Sequence, residues 1–208
     1  MSDLHCPARV FVARHGEAEY ESELLSDAGG SLSQKGRAQS RELGESLRGD
    51  RVSRIYASSM ARAVQTAEIV AAVLAVDVVV RDGLREFGVG VHAGTAGDPD
   101  PFRPTFTRWL EGDLEARIEG AESGAEVIER VSTELELVAD QHRGESALVV
   151  SHGGAICTAV PAMARNLTSR FPESRPLPNT GVVELEADGD GWRAVSWCGE
   201  PVRLTAEI

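Results

Sequence analysis

Val10-Phe-Val-Ala-Arg14-His15-Gly16 is the stretch that decides the fold. Its leading residues are apolar and β-prone without polar alternation, the pattern of a buried strand. The run stops abruptly at a cation, an imidazole and a glycine. Such an ending delivers reactive groups to the carboxyl edge of a sheet, where open α/β sheets bind their ligands. The design recurs at Ala147-Leu-Val-Val-Ser151-His152-Gly153-Gly154. Two strand-end histidines, each followed by glycine, point to one site assembled from both halves of the chain.

Working outward, strands and helices alternate. A first strand spans Arg9–Ala13. Ser33 is the expected N-cap of a helix to Arg48, with Ala38, Leu43 and Leu47 on its apolar side. A second strand, Val52–Ala57, leads into a helix over Met60–Ala75 whose buried stripe is Ala63, Ala67, Val70, Ala71 and Leu74. Val76–Val80 is a third strand. Asp82 to Gly120 reads as irregular, with one short helix near Phe106–Glu111; a long segment of this kind inside a compact domain is often a lid or binding loop. A strong helix runs from Ser123 to His142, with Val127, Ile128, Val131, Leu135 and Val138 facing the core. The strand Ala147–Val150 follows. Pro161 is expected to kink the next helix or mark its start. After a Pro-rich loop, Phe171–Asn179, Gly181–Ala187 and Trp192–Cys198 flank Asp188-Gly-Asp-Gly191 as an antiparallel hairpin. The expected fold is α/β: a three-layer sandwich with a mostly parallel central sheet flanked by helices, plus a C-terminal antiparallel hairpin. Residues 1–208 read as a single domain, with an insert at about 95–119.

The chain is 42% hydrophobic and 26% charged, as expected of a globular domain with a sizeable core. A net charge of −12 argues against nucleic acid or an anionic membrane as partner. An anionic small molecule must then be held by a local cluster of Arg and His. Cys6, Cys157 and Cys198 are far apart and show no metal-ligand spacing, so they are expected to be buried free thiols, and no structural metal is expected. The first residues contain no hydrophobic signal core, and no run is long enough to span a membrane. A cytoplasmic protein is expected. It is expected to be a monomer or a homodimer, the terminal hairpin offering an edge for pairing.

A lone strand-end histidine is often only a hydrogen-bonded structural residue. Its company changes the reading. Ser58-Ser-Met-Ala-Arg62-Ala-Val-Gln65-Thr66-Ala67 follows the second strand and opens its helix. That places Arg62 in a first helical turn, against the dipole, where an anion explains its presence better than solvent does.

Taken together, these residues resemble the histidine phosphatase superfamily, the phosphoglycerate mutase-like clan, over nearly the whole chain and in the family's order. Arg14-His15-Gly16 resembles its nucleophile motif. Leu32-Ser-Gln-Lys-Gly36-Arg-Ala-Gln39 is similar to its first helix entry, and Ser58 to Ala67 to its second, with Ser59 where proline is usual. Leu84-Arg85-Glu86, followed by Gly90 and Gly94, resembles its acid loop. Gly120-Ala-Glu122-Ser123, Ser151-His152-Gly153-Gly154 and Pro178-Asn179-Thr180 match later segments.

The resemblance implies a metal-independent phosphomonoester hydrolase that needs no cofactor and acts on a small phosphorylated metabolite. His15 is implied as the nucleophile that forms a phosphohistidine. Glu86 is implied as the general acid, with a raised pKa. Arg14, Arg62 and a protonated His152 would surround a phosphoryl group, which carries about two negative charges. Gly16, Ser58, His92, Gly153, Asn179 and Glu21 are the further candidates for substrate contact.

Two positions depart from the family's first motif: Ala18 and Glu21 stand where hydroxyl and amide donors are usual, so Glu21 is expected to turn outward or meet a different substrate group. His92 replaces a common Trp. Of Arg103, Arg108 and Arg117 in the insert, one is expected to reach substrate. Gln39 and Thr66 read as helix-packing residues, His5 and His142 as surface histidines, and Trp109, Trp192 and Trp197 as packing groups. Two other functions stay open: a cofactor-dependent phosphoglycerate mutase, and a catalytically weak protein that binds a phosphorylated ligand. The short acidic insert favours hydrolysis over mutase activity.

Overall fold

The computed structural model describes residues 6–20 and 22–203. Glu21 and His5 therefore lie outside the described residues. In chain order the elements are β1 (Ala8–Arg14), β2 (Ala18–Glu19), β3 (Ser31–Leu32), α1 (Gln34–Ser46), β4 (Val52–Ser58), α2 (Ala61–Leu74), β5 (Val78–Arg81), α3 (Arg103–Leu110), α4 (Gly124–Gln141), β6 (Ser146–Ser151), α5 (Gly153–Met163), α6 (Phe171–Ser174), β7 (Val182–Asp188), β8 (Gly191–Trp197) and β9 (Glu200–Pro201).

A seven-stranded sheet has the order β5-β4-β6-β1-β7-β8-β9. The β5-β4-β6-β1 half is parallel, and β7, β8 and β9 add on antiparallel. The period-two alternation of each central strand sorts its side chains into two cores. Val10 and Val12 of β1, Tyr56 of β4 and Val149 of β6 pack with α4 and α5. Phe11 and Ala13, Ile55 and Ala57, and Leu148 and Val150 pack with α1 and α2. These layers are helix, sheet and helix, as the strand–helix alternation predicts.

The caps explain where the helices start. Ser33 Oγ accepts from Gly36 N at 2.9 Å and opens α1. Ser123 and Glu126 form a reciprocal capping box at α4. Several local expectations are corrected. Ala38 is exposed; α1 instead buries Gly36, Ser40, Leu43 and Gly44 against its neighbours, because small residues let the nucleophile loop and α2 approach closely. β5 starts at Val78, two residues later than the apolar run. The helix of the insert starts earlier, at Arg103, with Pro104 in its first turn. Pro161 sits in the last turn of α5, where it neither starts the helix nor prevents it. The Pro-rich loop contains the short helix α6, and the β2–β3 ladder had no sequence signal.

His142 is also corrected. It is buried, and hydrogen-bonds Tyr56 Oη and Ser53 Oγ, each at 3.0 Å, because the end of α4 folds back over β4. Of the free cysteines only Cys157 is buried; Cys6 is half-buried and Cys198 is exposed in the turn after β8. Trp109, Trp192 and Trp197 are core residues. No described helix is long and apolar enough to cross a membrane.

Candidate active site

Register places the two histidines side by side. β1 and β6 are parallel neighbours with Arg14 opposite Ser151, and His15 N donates to Ser151 O at 3.0 Å. One residue past each strand end, the imidazoles of His15 and His152 stand with centroids 5.1 Å apart. β4 lies on the other side of β6 and ends at Ser58, whose Oγ is hydrogen-bonded to His152 Nε2 at 2.8 Å. α2 starts three residues later and turns Arg62 inward, with 6% of its surface exposed. Arg62 is thus no solvated helix arginine.

His15 is held in one tautomer. Its Nδ1 donates to Gly16 O at 2.7 Å, and Arg62 Nε donates to its Nε2 at 3.1 Å. Nε2 therefore presents a lone pair. Burial, reinforced by the Arg62 and Arg14 charges, brings the pKa of His15 down to about 3, so the ring is neutral at physiological pH. Both peptides around Gly16 are clamped. Gly16 N donates to Thr66 Oγ1 at 3.0 Å, Asn179 Nδ2 donates to His15 O at 3.1 Å, and Glu17 N donates to Gln39 Oε1 at 2.8 Å. Asn179, expected to touch substrate, also braces the nucleophile through His15 O. Gln39 and Thr66 do more than pack helices.

His152 is fully buried, and desolvation beside Arg62 and His15 holds its pKa well below the ordinary histidine value. Without an anion a third positive charge cannot be accommodated in this dry, cationic corner, so burial favours a neutral ring here; the sequence expectation of a protonated His152 applies around a phosphoryl group.

Glu86 follows a 3-10 turn at Asp82–Leu84 and reaches the start of α5. Its Oε2 accepts from Gly154 N at 2.9 Å, and Oε1 from Ala155 N at 2.7 Å and Phe87 N at 3.3 Å. Oε2 keeps one lone pair free for a proton. Burial raises the pKa of Glu86 and outweighs those three donors, the expected direction for a general acid. The acid loop is anchored from α4: Arg130 Nη1 donates to Gly83 O and Arg85 O, while Glu122 grips its Nε and Nη2 at 2.5 and 2.9 Å.

Four buried side-chain nitrogens have no hydrogen-bond partner among the described residues: Trp197 Nε1 lies in β8, and the other three, Arg14 Nε, Arg62 Nη1 and His152 Nδ1, gather here. Buried orphans of this kind are rare, and all three flank His15. They mark a place for an anion with several acceptor oxygens. Beside it opens a cavity of about 890 Å³, lined by Arg14, His15, Arg62, Glu86, Gly153 and, farther out, by Arg85, Phe87, Phe102 and Phe106. Its volume exceeds what a phosphate needs and suits a small-molecule ester.

Among the other candidates, Gly153 lines this cavity and packs under Arg14. His92 does not line it; its ring sits against Phe102, 5.6 Å between centroids. Arg103 lines the cavity, whereas Arg108 and Arg117 pair with Asp113 and Glu126. Ala18 is half-buried in β2. Sequence reasoning missed Gly29, where any Cβ would collide with the Arg62 guanidinium; the Gly29-Gly30 pair was the available signal. It also missed Arg130 and the aromatic lining.

Comparison with known proteins agrees with this geometry. The family model of the histidine phosphatase superfamily (branch 1) matches residues 10–199. The chain belongs to that superfamily. Phosphoglycerate mutase-like protein 4 of Arabidopsis thaliana is 29% identical over 205 residues, covering 91% of this chain and 84% of its own. A mycobacterial glucosyl-3-phosphoglycerate phosphatase, solved with VO3, superposes with a TM-score of 0.74 at 25% identity, over 91% of this chain and 98% of that one. Bacillus stearothermophilus YhfR gives a TM-score of 0.77 at 26% identity, over 90% and 95%. Relatives of this superfamily member thus carry both phosphatase and mutase names.

Proposed function

We propose that this histidine phosphatase hydrolyses small phosphomonoesters through a phosphohistidine on His15, using guanidinium charge where other phosphoryl-transfer enzymes use a metal. The observation that carries the reading is the single-tautomer His15, whose Nε2 lone pair accepts only from Arg62 Nε among the described residues and stands beside three donors that have no partner. Phosphoryl transfer needs positioning and charge stabilisation above all. The ester phosphorus meets Nε2 as the hydrogen bond from Arg62 Nε to that lone pair is given up, and Arg14 Nε and Arg62 Nη1 take the non-bridging oxygens. With the Ser58 hydroxyl donating to His152 Nε2, His152 Nδ1 carries its proton and becomes the third donor without any net charge. As the N–P bond forms, the P–O ester bond breaks and Glu86 gives its proton to the leaving oxygen. Water then attacks phosphorus, Glu86 takes the proton back, and the N–P bond breaks. Among the described residues, no group of three or more His, Cys, Asp and Glu is placed to hold a metal ion.

The test is phosphate release from a panel of phosphomonoesters in EDTA, comparing wild type with His15→Ala. Release that vanishes in the variant, with base-stable, acid-labile labelling of the wild type, is the expected result. Release that persists in His15→Ala removes the nucleophile. Transfer of the label to added 3-phosphoglycerate in preference to water replaces the hydrolase by a mutase.

A further inference from the structure

We infer that the leaving group of the substrate is a bulky, uncharged apolar body, seated on an aromatic wall that the 95–119 insert builds beside the general acid. The inference rests on the hydrolase reading and specifies its substrate class. The wall starts at the acid itself. Phe87 follows Glu86 in the chain and packs over Gly154, where a Cβ would overlap the Phe87 ring and come within 2.7 Å of Glu86 Oε1. A leaving oxygen protonated by Glu86 therefore carries its substituent out past Phe87.

From there the surface is continuous and braced. Phe87 meets Phe102 edge to face at 5.7 Å, and both Phe87 and Phe106 lean on buried Trp109 at 5.2 and 6.1 Å. Trp109 is fixed by donating from Nε1 to Ala116 O at 2.7 Å. Rings held this way offer flat area at little entropic cost. Phe102 and Phe106 come from the insert, and Leu177 closes the cavity from the Pro-rich loop.

Charge along the cavity disfavours a second anionic group. Beyond Arg14, Arg62 and Glu86, the lining carries five carboxylates against three guanidinium groups. Arg130 and Glu122 neutralise each other and Glu173 pairs with Arg170, which leaves Asp27, Asp82 and Asp100 against Arg85 and Arg103; Arg85 donates to the neutral Ser59 Oγ and Asp27 O. Arg103, the third, is exposed and has no hydrogen-bond or ion-pair partner among the described residues. A carboxylate or second phosphate on the leaving group would meet Arg85 and Arg103 against three carboxylates that have no ion pair among the described residues, Asp27, Asp82 and Asp100.

The test compares kcat/KM for 2-phenylethyl phosphate, propyl phosphate and 3-phosphoglycerate, the first two being alkyl esters of similar leaving-group basicity. The expected preference for the phenylethyl ester over the propyl ester is roughly tenfold to a hundredfold, from burial of one ring. Phe102→Ala and Phe106→Ala should each cut that ratio by about threefold or more, mostly through KM. A wild-type ratio near one, or 3-phosphoglycerate outperforming propyl phosphate, overturns the wall as the specificity element. A 3-phosphoglycerate preference lost in Arg103→Ala would assign specificity to the guanidinium instead. Calorimetric binding of 2-phenylethylphosphonate against propylphosphonate reads the same contact without turnover. Tenfold tighter phenylethyl binding without hydrolysis would keep the wall and sink the hydrolase reading, whereas equal binding sinks the wall whatever the turnover.

Discussion

Thr66→Val removes one hydroxyl, keeps the side-chain volume, and tests how the nucleophile is held. Thr66 is fully buried; its Oγ1 accepts from Gly16 N at 3.0 Å and donates to Arg62 O at 2.7 Å. Arg62 O keeps its helical partner in the variant, so the uncompensated loss is the acceptor of the buried Gly16 N–H. Leaving a buried donor unsatisfied costs about 1–3 kcal/mol. In a domain of this size that lowers Tm by roughly 2–4 °C for each kcal/mol. Gly16 also supplies the carbonyl that fixes His15 Nδ1, so movement of the loop toward a new partner loosens the reactive tautomer. If about 1.4 kcal/mol of the loss is felt there, kcat falls about tenfold with KM little changed. The assay is steady-state phosphate release with a parallel thermal melt, for Thr66→Val and Thr66→Ser. Serine keeps the hydroxyl and should restore most of kcat. A folded valine variant with wild-type kcat, or a serine variant as impaired as valine, would refute the clamp.

Three further outcomes are expected. Glu86→Gln should slow alkyl phosphates by about a hundredfold to ten-thousandfold and aryl phosphates with good leaving groups far less; equal losses would argue against proton donation. Folding stability should fall with acidification below the ordinary histidine pKa of 6.5, because the unfolded chain protonates His15 there while the folded chain resists until about pH 3. Urea titrations from pH 7 to pH 4.5 should show His15→Ala flattening this slope by up to about 1.4 kcal/mol per pH unit; an unchanged slope would mean that His15 is not neutral in the fold. The raised pKa of Glu86 acts with the opposite sign, removing stability as pH rises through its folded value. Gly154→Ala should displace Phe87 and Glu86 together, costing about 1–3 kcal/mol of stability and lowering kcat on alkyl esters; a variant that melts and turns over like wild type would contradict the tight packing over α5.

How much of this was legible in the chain depended on range. The buried strands, the N-cap Ser33, the helix start near Ser123 and the strand-end imidazoles were readable because each is written in a few neighbouring residues whose backbone needs are local. His15, Glu86, His152, Arg14 and Arg62 were legible as candidates for the same reason. Their roles were less so. The brace that the Asn179 amide gives His15 O, 164 residues away in the chain, left no local signal. His142 looked like a solvated residue at the end of a helix until the chain folded Tyr56 and Ser53 against it. The sequence by itself determined that a cation, an imidazole and a glycine close one buried strand and that an imidazole and two glycines close another, because hydrophobic periodicity and turn chemistry act over a few residues. Only the tertiary structure decided that β6 lies between β1 and β4, so that His15, His152, Ser58 and Arg62 converge, and that burial makes both rings neutral. Strand order, desolvation and the aromatic wall are set by contacts between residues far apart in the chain, which no local pattern records.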